Sequence, residues 1–270
     1  MNPVDRADPI DHALLKRHLR QTRQKGDGDF LAREMEARMR ENLAYIRLAP
    51  QRILALDRAV DLSAHYLAAH CLNMGEKGRD AAAAAENLPL PTDSVDLVWA
   101  NGFAFWRHDW ARTLREALRV LRPGGLMMLS TFGPDTLNTL RDGMDTPETL
   151  SPRVDLRALG DLISHAGFAD PVTHMESLTF TYTRIGTLFA DLRATAPDIF
   201  FPACHKNANR LRWQRLLAHY EHCRAKREDD KFPAQIEILH AHAWKPLRAA
   251  RPLRTAMRAD GAERIITFRR

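Results

Sequence analysis

Two short pairs of cysteine and histidine residues could bind a metal ion or supply a nucleophile. They are Cys204-His205 and His222-Cys223. Compact zinc sites use spacings such as CxxC and HxxxH, which neither pair has. No G-x-S-x-G motif or similar local signature of a catalytic nucleophile occurs in the sequence either. We therefore expect no metal site, and histidines on a solvent-facing helix are the simpler interpretation.

Two further polar residues stand directly after apolar runs that are typical of buried strands. Asp57 follows the run 52–56, and Asn101 follows the run 95–100. In α/β sheets, ligands bind beyond the carboxyl ends of the strands, so such residues can contact a ligand. Asn101 could equally cap the segment that follows it, and the residues alone leave both possibilities open.

The segments around these residues alternate between strand and helix patterns. Apolar runs predict strands at 52–56, 95–100 and 126–131, and the spacing of apolar residues predicts a helix at 109–121. The turn Arg122-Pro123-Gly124-Gly125 leads into the third strand. A strand, a helix, a turn and a second strand form a right-handed β–α–β unit. We therefore expect an α/β fold with a doubly wound, mostly parallel sheet and helices on both faces.

The rest of the chain adds helices and two more strands to this unit. An apolar stripe from Phe30 to Ile46 predicts a helix before the first strand. We predict a basic helical segment at 1–28, a main domain at 29–246 and a loose basic tail at 247–270. The other predicted elements are a helix at 155–166, a strand at 172–182, helices near 184–194 and 207–226 within a helical insertion at about 184–230, and a strand at 235–243.

Composition narrows the class of protein. Of the 270 residues, 45% are apolar, which is enough to bury a core and excludes a disordered chain. The sequence has no long apolar run without charges, so we expect no membrane span. The polar start of the chain predicts no secretion signal. Three cysteines are too few for a disulfide framework, as expected of a cytoplasmic protein.

Basic residues outnumber acidic residues by 40 to 34, which gives a net charge of +6. This excess favours an acidic partner, such as nucleic acid, an anionic membrane surface or an acidic protein. The basic residues concentrate at 16–25, at 206–227 and in the tail from residue 248. No nucleic-acid-binding motif accompanies them, so we do not expect nucleic acid to be the partner.

Several motifs resemble those of a known family. Glu86-Asn87-Leu88-Pro89-Leu90-Pro91 and Leu121-Arg122-Pro123-Gly124-Gly125 are similar to motifs that are widespread among class I S-adenosylmethionine (SAM) methyltransferases. Narrower blocks at 130–141, 166–172 and 242–246 resemble the malonyl-acyl carrier protein O-methyltransferases of biotin synthesis. The likeness covers about residues 30–246, which is most of the chain.

The resemblance implies a fold and a reaction. The fold is a seven-stranded sheet with an antiparallel last strand, and the cofactor SAM lies across the carboxyl ends of the strands. The reaction is transfer of a methyl group to the free carboxylate of a malonyl group on acyl carrier protein. Because a carboxylate is already a nucleophile at neutral pH, the protein has mainly to align donor and acceptor. The chemistry alone therefore predicts no catalytic residue.

The resemblance also implies roles for individual residues. Asn101 would lie near the transferred methyl group, and Phe103 and Trp106 would lie on a loop that lines the substrate pocket, although core packing is the simpler use of these aromatic rings. Arg212 and Arg215 lie on a basic helix at the implied substrate entrance. A basic surface at that place suits an acidic carrier protein.

The sequence departs from the family pattern around the cofactor. The family has a glycine-rich loop after the first strand, whereas no glycine occurs here between Gly28 and Gly75. The 38 residues from 57 to 94 are also fewer than the roughly 45–55 that two helices and two strands require. We therefore expect one strand–helix unit to be missing or shortened and the binding of SAM to be weakened.

Two registers are open for Asp57. It can end the first strand, or it can stand in for the acid that holds the cofactor ribose at the end of the second strand. Ala84 stands where the family has an aspartate that contacts the adenine. His18 and Lys25 stand where the family has aromatic residues that help to cover the cofactor. These departures raise a competing hypothesis, in which the chain is a catalytically silent relative that acts as a binding or scaffold protein.

Overall fold

The computed structural model describes residues 30–56, 70–74, 85–102, 109–143, 154–195 and 210–247. In these residues a six-stranded sheet is flanked by helices. The strands are β1 (Arg52–Leu56), β2 (His70–Met74), β3 (Val95–Ala100), β4 (Leu121–Phe132), β5 (Ala169–Tyr182) and β6 (Phe232–Trp244). The helices are α1 (Phe30–Ala44), α2 (Trp110–Val120), α3 (Asn138–Asp142), α4 (Leu156–Ala166), α5 (Ile185–Thr195) and α6 (Arg210–Ala225).

The strands lie in the order β2-β1-β3-β4-β6-β5. The first four are parallel to one another, and β6 is antiparallel to both of its neighbours, β4 and β5. Helix α2 crosses from β3 to the parallel strand β4, as the sequence pattern predicts. The expected doubly wound, mostly parallel α/β sheet is therefore confirmed.

Strand β1 lies between β2 and β3 and pairs with both along its length. Because β2 is a strand of its own, the structure favours the register in which Asp57 follows the first strand. Asp57 itself lies outside the described residues. Of the interval 57–94, the structure describes 70–74 and 85–94, which contain one strand where the resemblance implies two. The loss of a strand–helix unit stays a prediction, since it also concerns residues outside these ranges.

Local sequence signals explain the ends and faces of the helices. The apolar stripe of α1 is buried as predicted, with Leu31, Met35, Met39 and Leu43 at most 2% exposed. Helix α2 begins after Asp109, whose carboxylate accepts a hydrogen bond from the amide of Arg112 at 3.0 Å. Such a cap satisfies an amide that has no partner within the helix.

The predicted turn at Arg122-Pro123-Gly124-Gly125 is instead an irregular part of β4, and this expectation was wrong. The pairing of β3 with β4 shifts there, from Val95 opposite Leu121 to Leu97 opposite Leu126. Gly124 has a φ of +78°, which favours glycine, and its amide donates to the carbonyl of Lys245 at 2.9 Å. The end of β6 therefore continues the sheet where the sequence predicted only a turn.

Apolar side chains fill three clusters. Helices α2 and α4 cover one face of the sheet, and α1 covers the other face through Met39 and Leu43 against Leu97 and Trp99. A third cluster joins α5 and α6 to the second half of β5 and the first half of β6. Within the described residues, no helix combines the length and the apolar character that crossing a membrane would require.

Candidate active site

The carboxyl ends of β1, β3 and β4 meet at one edge of the sheet. Leu56, the last residue of β1, lies opposite Ala100, the last residue of β3. Ala100 in turn lies opposite Leu129 of β4. Since the chain leaves β1 towards β2 on one side and continues with β3 on the other, this edge is the topological switch point of the sheet. Doubly wound sheets bind their ligands at such a point.

Two polar side chains are buried at this edge. Asn101 follows β3 directly and is 1% exposed, and Ser130 of β4 is fully buried. The hydroxyl of Ser130 donates to the Oδ1 atom of Asn101 at 2.9 Å and accepts the backbone amide of Gly102 at 2.8 Å. Gly102 has a φ of +63°, in the left-handed region that favours glycine. The candidate residue Asn101 is therefore held in a defined orientation by a neighbouring strand.

The turn after β4 is fastened to β6 by Glu237, a carboxylate that is only 4% exposed. Its side chain accepts the amide of Asp135 at 2.8 Å, and its backbone carbonyl accepts the Thr136 hydroxyl at 2.9 Å and the Gly133 amide at 2.9 Å. A side chain at Gly133 would overlap the carboxylate of Glu237. These contacts explain two residues of the sequence block 130–141. Gly133 leaves room for the carboxylate of Glu237, and the hydroxyl of Thr136 donates to the carbonyl of Glu237.

A row of polar residues crosses the sheet from Asn101 to the edge strand. Ser130 of β4 lies opposite His240 of β6, and His240 lies opposite His174 of β5. The two imidazole rings are stacked with their centroids 4.7 Å apart. His174 contacts Asn42 of α1, with 3.2 Å between the Nε2 and Nδ2 atoms. This row, Asn101–Ser130–His240–His174, is hereafter called the polar row.

His240 is 2% exposed, and within the described residues neither of its ring nitrogens has a hydrogen-bond partner. Burial lowers the pKa of His240 to about 4, and the nearby His174 and Arg38 lower it further. Burial also lowers the pKa of His174, against the attraction of Glu176. The structure therefore favours uncharged imidazoles in this half of the polar row.

Helix α6 packs on the side of the sheet where β4 ends. Leu216 and Tyr220 are buried, and Leu216 approaches the backbone at Gly143, just after α3. Arg215 is exposed on the outer side of this helix, whereas the side chain of Arg212 lies outside the described residues.

Two basic residues, one in the last turn of α6 and one just after this helix, form ion pairs. Arg224 pairs with Glu221 at 2.9 Å, and Arg227 pairs with Asp229 at 2.8 Å. Both lie in the basic stretch 206–227 that the sequence singled out. The basic surface of this segment is therefore smaller than the count of arginines and lysines suggests.

The structure describes only some of the predicted site residues. Asn101 is at the switch point and Arg215 is on the exposed side of α6, whereas Asp57, Phe103 and Trp106 lie outside the described residues. Two other aromatic residues of the same stretch of sequence, Trp99 and Trp110, are core residues, at 0% and 6% exposed.

Sequence reasoning missed the roles of Ser130 and Glu237. The residue Ser130 stood in a quoted motif, but its partner is 29 positions away in the chain. The partner of Asp135 is 102 positions away. Only the register of the strands brings these groups together.

Comparisons with known proteins agree with this architecture. Residues 44–129 match the family model described as a methyltransferase domain. The YcgJ protein from Bacillus subtilis is similar in structure, with a TM-score of 0.52, 15% identity and coverage of 78% of this chain and 99% of that chain. At this identity the likeness concerns the fold. The fold and the matched domain together define a chain of the methyltransferase class.

Curated relatives narrow this class to one family. A malonyl-[acyl-carrier protein] O-methyltransferase of Gallionella capsiferriformans (strain ES-2) is 35% identical over 247 residues, which cover 80% of this chain and 84% of the relative. One of Methylovorus sp. (strain MP688) is 34% identical over 247 residues, with coverage of 80% and 82%. The chain belongs to the malonyl-[acyl-carrier protein] O-methyltransferase family.

Proposed function

We propose that this protein is a SAM-dependent O-methyltransferase that methylates the free carboxylate of a malonyl group on acyl carrier protein, in the synthesis of the biotin precursor. The observation that carries the proposal is the 35% identity to a relative of that name, over 80% of this chain and 84% of the relative. The names of these relatives support an enzymatic function for this chain. No comparison favours the hypothesis of a catalytically silent scaffold.

The cofactor supplies an electrophilic methyl group on a sulfonium when it is bound. The malonyl carboxylate attacks without a general base, because it is ionised at neutral pH. The chain has therefore to hold donor and acceptor in line and to exclude water, and positioning of this kind can supply a large part of a rate enhancement. This agrees with a switch point at which the described polar side chains are buried and hydrogen-bonded.

The described residues at the switch point suit a nucleoside cofactor. Asn101 offers a buried amide that is already oriented by Ser130, so little ordering is needed when a ligand binds. We assign Asn101 to the cofactor, near the transferred methyl group. Asp57 comes directly after Leu56 in the sequence, so we assign its carboxylate to the cofactor from the end of the first strand, and not as the ribose-holding acid of the second strand.

We also infer that the cofactor is held more weakly than is usual for the family. The segment that follows β1 begins Asp57-Arg58-Ala59-Val60 and contains no glycine, so backbone cannot approach a ligand there as closely as a glycine-rich loop allows. Ala84 also lacks a carboxylate for the adenine amino group. A missing charge-assisted hydrogen bond of that kind costs roughly 1.5–3 kcal/mol.

Acyl carrier protein is the proposed partner, and α6 is the proposed contact. Arg215 is exposed on this helix, and Arg212 lies on the same helix. A net charge of +6 favours an encounter with an acidic protein and makes the association rate sensitive to salt. Phe103 and Trp106, in the segment after Asn101, are proposed to line the pocket for the malonyl group.

The proposal is tested with the purified full chain, SAM and malonyl-acyl carrier protein. Mass spectrometry of the carrier protein should show the addition of one methyl group, and the product should be a methyl ester that alkali hydrolyses. Acetyl-acyl carrier protein is the matched control, because it lacks the free carboxylate. Absence of methylation at saturating SAM, or equal methylation of both carrier proteins, would contradict the proposal.

A further inference from the structure

The hydroxyl of Ser130 holds the end of β3 from a neighbouring strand. It donates to Asn101 Oδ1 at 2.9 Å and accepts the amide of Gly102 at 2.8 Å. We propose that Ser130 is a positioning residue for methyl transfer, which acts through Asn101 and Gly102 without touching the reacting atoms. This inference rests on the proposed function, because it deepens the role of Asn101.

The two hydrogen bonds together fix which way the amide of Asn101 faces. If the amide were turned over, its Nδ2 atom would face a hydroxyl oxygen that already accepts the Gly102 amide. The hydroxyl proton of Ser130, which is fully buried, would then lose its acceptor. An unsatisfied buried donor is costly, so Oδ1 faces β4 and Nδ2 faces the opposite way. Ser130 thereby determines where the donor end of the amide points.

Ser130 also fixes the backbone that follows. Gly102 has a φ of +63°, and the hydroxyl is the acceptor for its amide. The same oxygen atom bonds to the side chain of the adjoining residue, Asn101, which is 1% exposed. One atom of β4 therefore holds both residues. Transfer between aligned groups is sensitive to shifts of about 1 Å, so a segment that loses both bonds would lose alignment.

The test compares Ser130→Ala with variants that separate positioning from folding. Ser130→Ala removes both bonds and should lower kcat about 10-fold, while the KM for malonyl-acyl carrier protein changes about 2-fold at most. Ser130→Thr keeps the hydroxyl and should recover most of the rate. Thr113→Val is the matched control, because Thr113 is buried on α2 and, within the described residues, its hydroxyl has no hydrogen-bond partner.

Two further measurements decide how Ser130 acts. In an Asn101→Ala background, Ser130→Ala should cost less than in the wild type, about 2- to 3-fold in kcat, because only its bond to the Gly102 amide is then left to lose. Hydrogen exchange of the peptide that contains Gly102 should be faster in Ser130→Ala than in the wild type or in Thr113→Val. An equal loss of kcat in both backgrounds, or unchanged exchange at Gly102, would overturn the proposal. Should Ser130→Ala fail to fold, Ser130→Cys replaces it, with a smaller loss expected.

Failure of the proposed function would be recognisable separately. A wild-type chain that methylates no malonyl-acyl carrier protein overturns that function and leaves Ser130 to be judged by binding. The affinity for S-adenosylhomocysteine should then fall several-fold in Ser130→Ala, and it should fall by a smaller factor when Asn101→Ala is already present. Unchanged affinity, or a wild-type chain that binds no S-adenosylhomocysteine, would overturn the role of Ser130.

Discussion

The two halves of the polar row treat buried polar groups differently. Asn101 and Ser130, on the side of the switch point, are joined by a hydrogen bond of 2.9 Å. His240, in the other half, is equally buried, yet within the described residues its ring nitrogens have no hydrogen-bond partner. The hydrogen bond therefore fixes the orientation of Asn101 and Ser130. His240 has no such bond within the described residues, and it is buried as a neutral imidazole, which costs less free energy than burying a charged one.

The largest expected effect is on the pH dependence of the free energy of unfolding, to which His240 of the polar row contributes. The pKa of His240 is lowered to about 4, below its ordinary value of 6.5, so the neutral ring contributes stability that is fully present above pH 6.5. This stability is lost as the pH falls towards 4, by about 3 kcal/mol at about 1.4 kcal/mol per pH unit. Urea unfolding between pH 7 and pH 4 measures it.

The matched variant for this prediction is His240→Leu, which replaces the buried imidazole with an apolar side chain of similar size. It should remove much of the loss of stability between pH 6.5 and pH 4, and it should leave methyl transfer at pH 7.5 within about 3-fold of the wild type. A variant that unfolds with the same pH dependence as the wild type would assign the effect to other groups, with His174 the next to examine.

The second effect concerns the hydrogen-bonded half. Asn101→Ala should lower kcat/KM for methyl transfer about 10- to 100-fold, because it removes the oriented amide and leaves the Ser130 hydroxyl without its acceptor. Steady-state kinetics with malonyl-acyl carrier protein measure this loss. The pH dependence of unfolding should stay as in the wild type, and a change in that dependence would show that the two halves are not independent.

The third effect concerns the turn that joins β4 to β6, beside the row. Gly133→Ala brings a methyl group against Glu237, whose buried carboxylate accepts the amide of Asp135 at 2.8 Å. We expect a loss of about 1–3 kcal/mol in the free energy of unfolding, since the acid has to move and gives up its partner. Gly186→Ala is the control, because a side chain there meets open space. Equal stability of both variants would contradict this account of the turn.

The smallest effect lies away from the row, on the surface. Arg215→Glu should lower the association rate with malonyl-acyl carrier protein about 2- to 5-fold at low salt, and the difference should shrink at high salt. Stopped-flow binding measures it. Lys226→Glu, at the far end of α6, is the control, and an equal effect of both would show that net charge, and not α6 at Arg215, guides the encounter.

Much of the fold follows from local patterns in the sequence. The apolar stripe of α1 and the run that became β1 are signals carried by a few neighbouring residues, and the structure confirms both. The turn predicted at 122–125 was wrong because Gly124 and Gly125 form backbone hydrogen bonds with Lys245, just after β6 and more than 100 positions away. Local patterns contain no information about such partners.

The candidate site could be predicted only in part for the same reason. Asn101 was identified as a candidate because it follows a strand, which is a local signal, and because the family resemblance implies a place for it near the transferred methyl group. Ser130 was not identified, since its partner Asn101 is 29 positions away in the chain. His240 was not identified either, since its place between Ser130 and His174 depends on the register of three strands. The strand order, which places β1 between β2 and β3, likewise favours one register for Asp57, where the sequence left two possibilities.

We propose that the switch point beside Asn101 holds a nucleoside cofactor. Calorimetric titration of this chain with S-adenosylhomocysteine measures that binding, and the Asn101→Ala variant is the comparison. The account predicts saturable binding with one site per chain, and binding at least several-fold weaker in the variant. A flat titration of the wild type at millimolar ligand, or equal affinity of the two proteins, would contradict it.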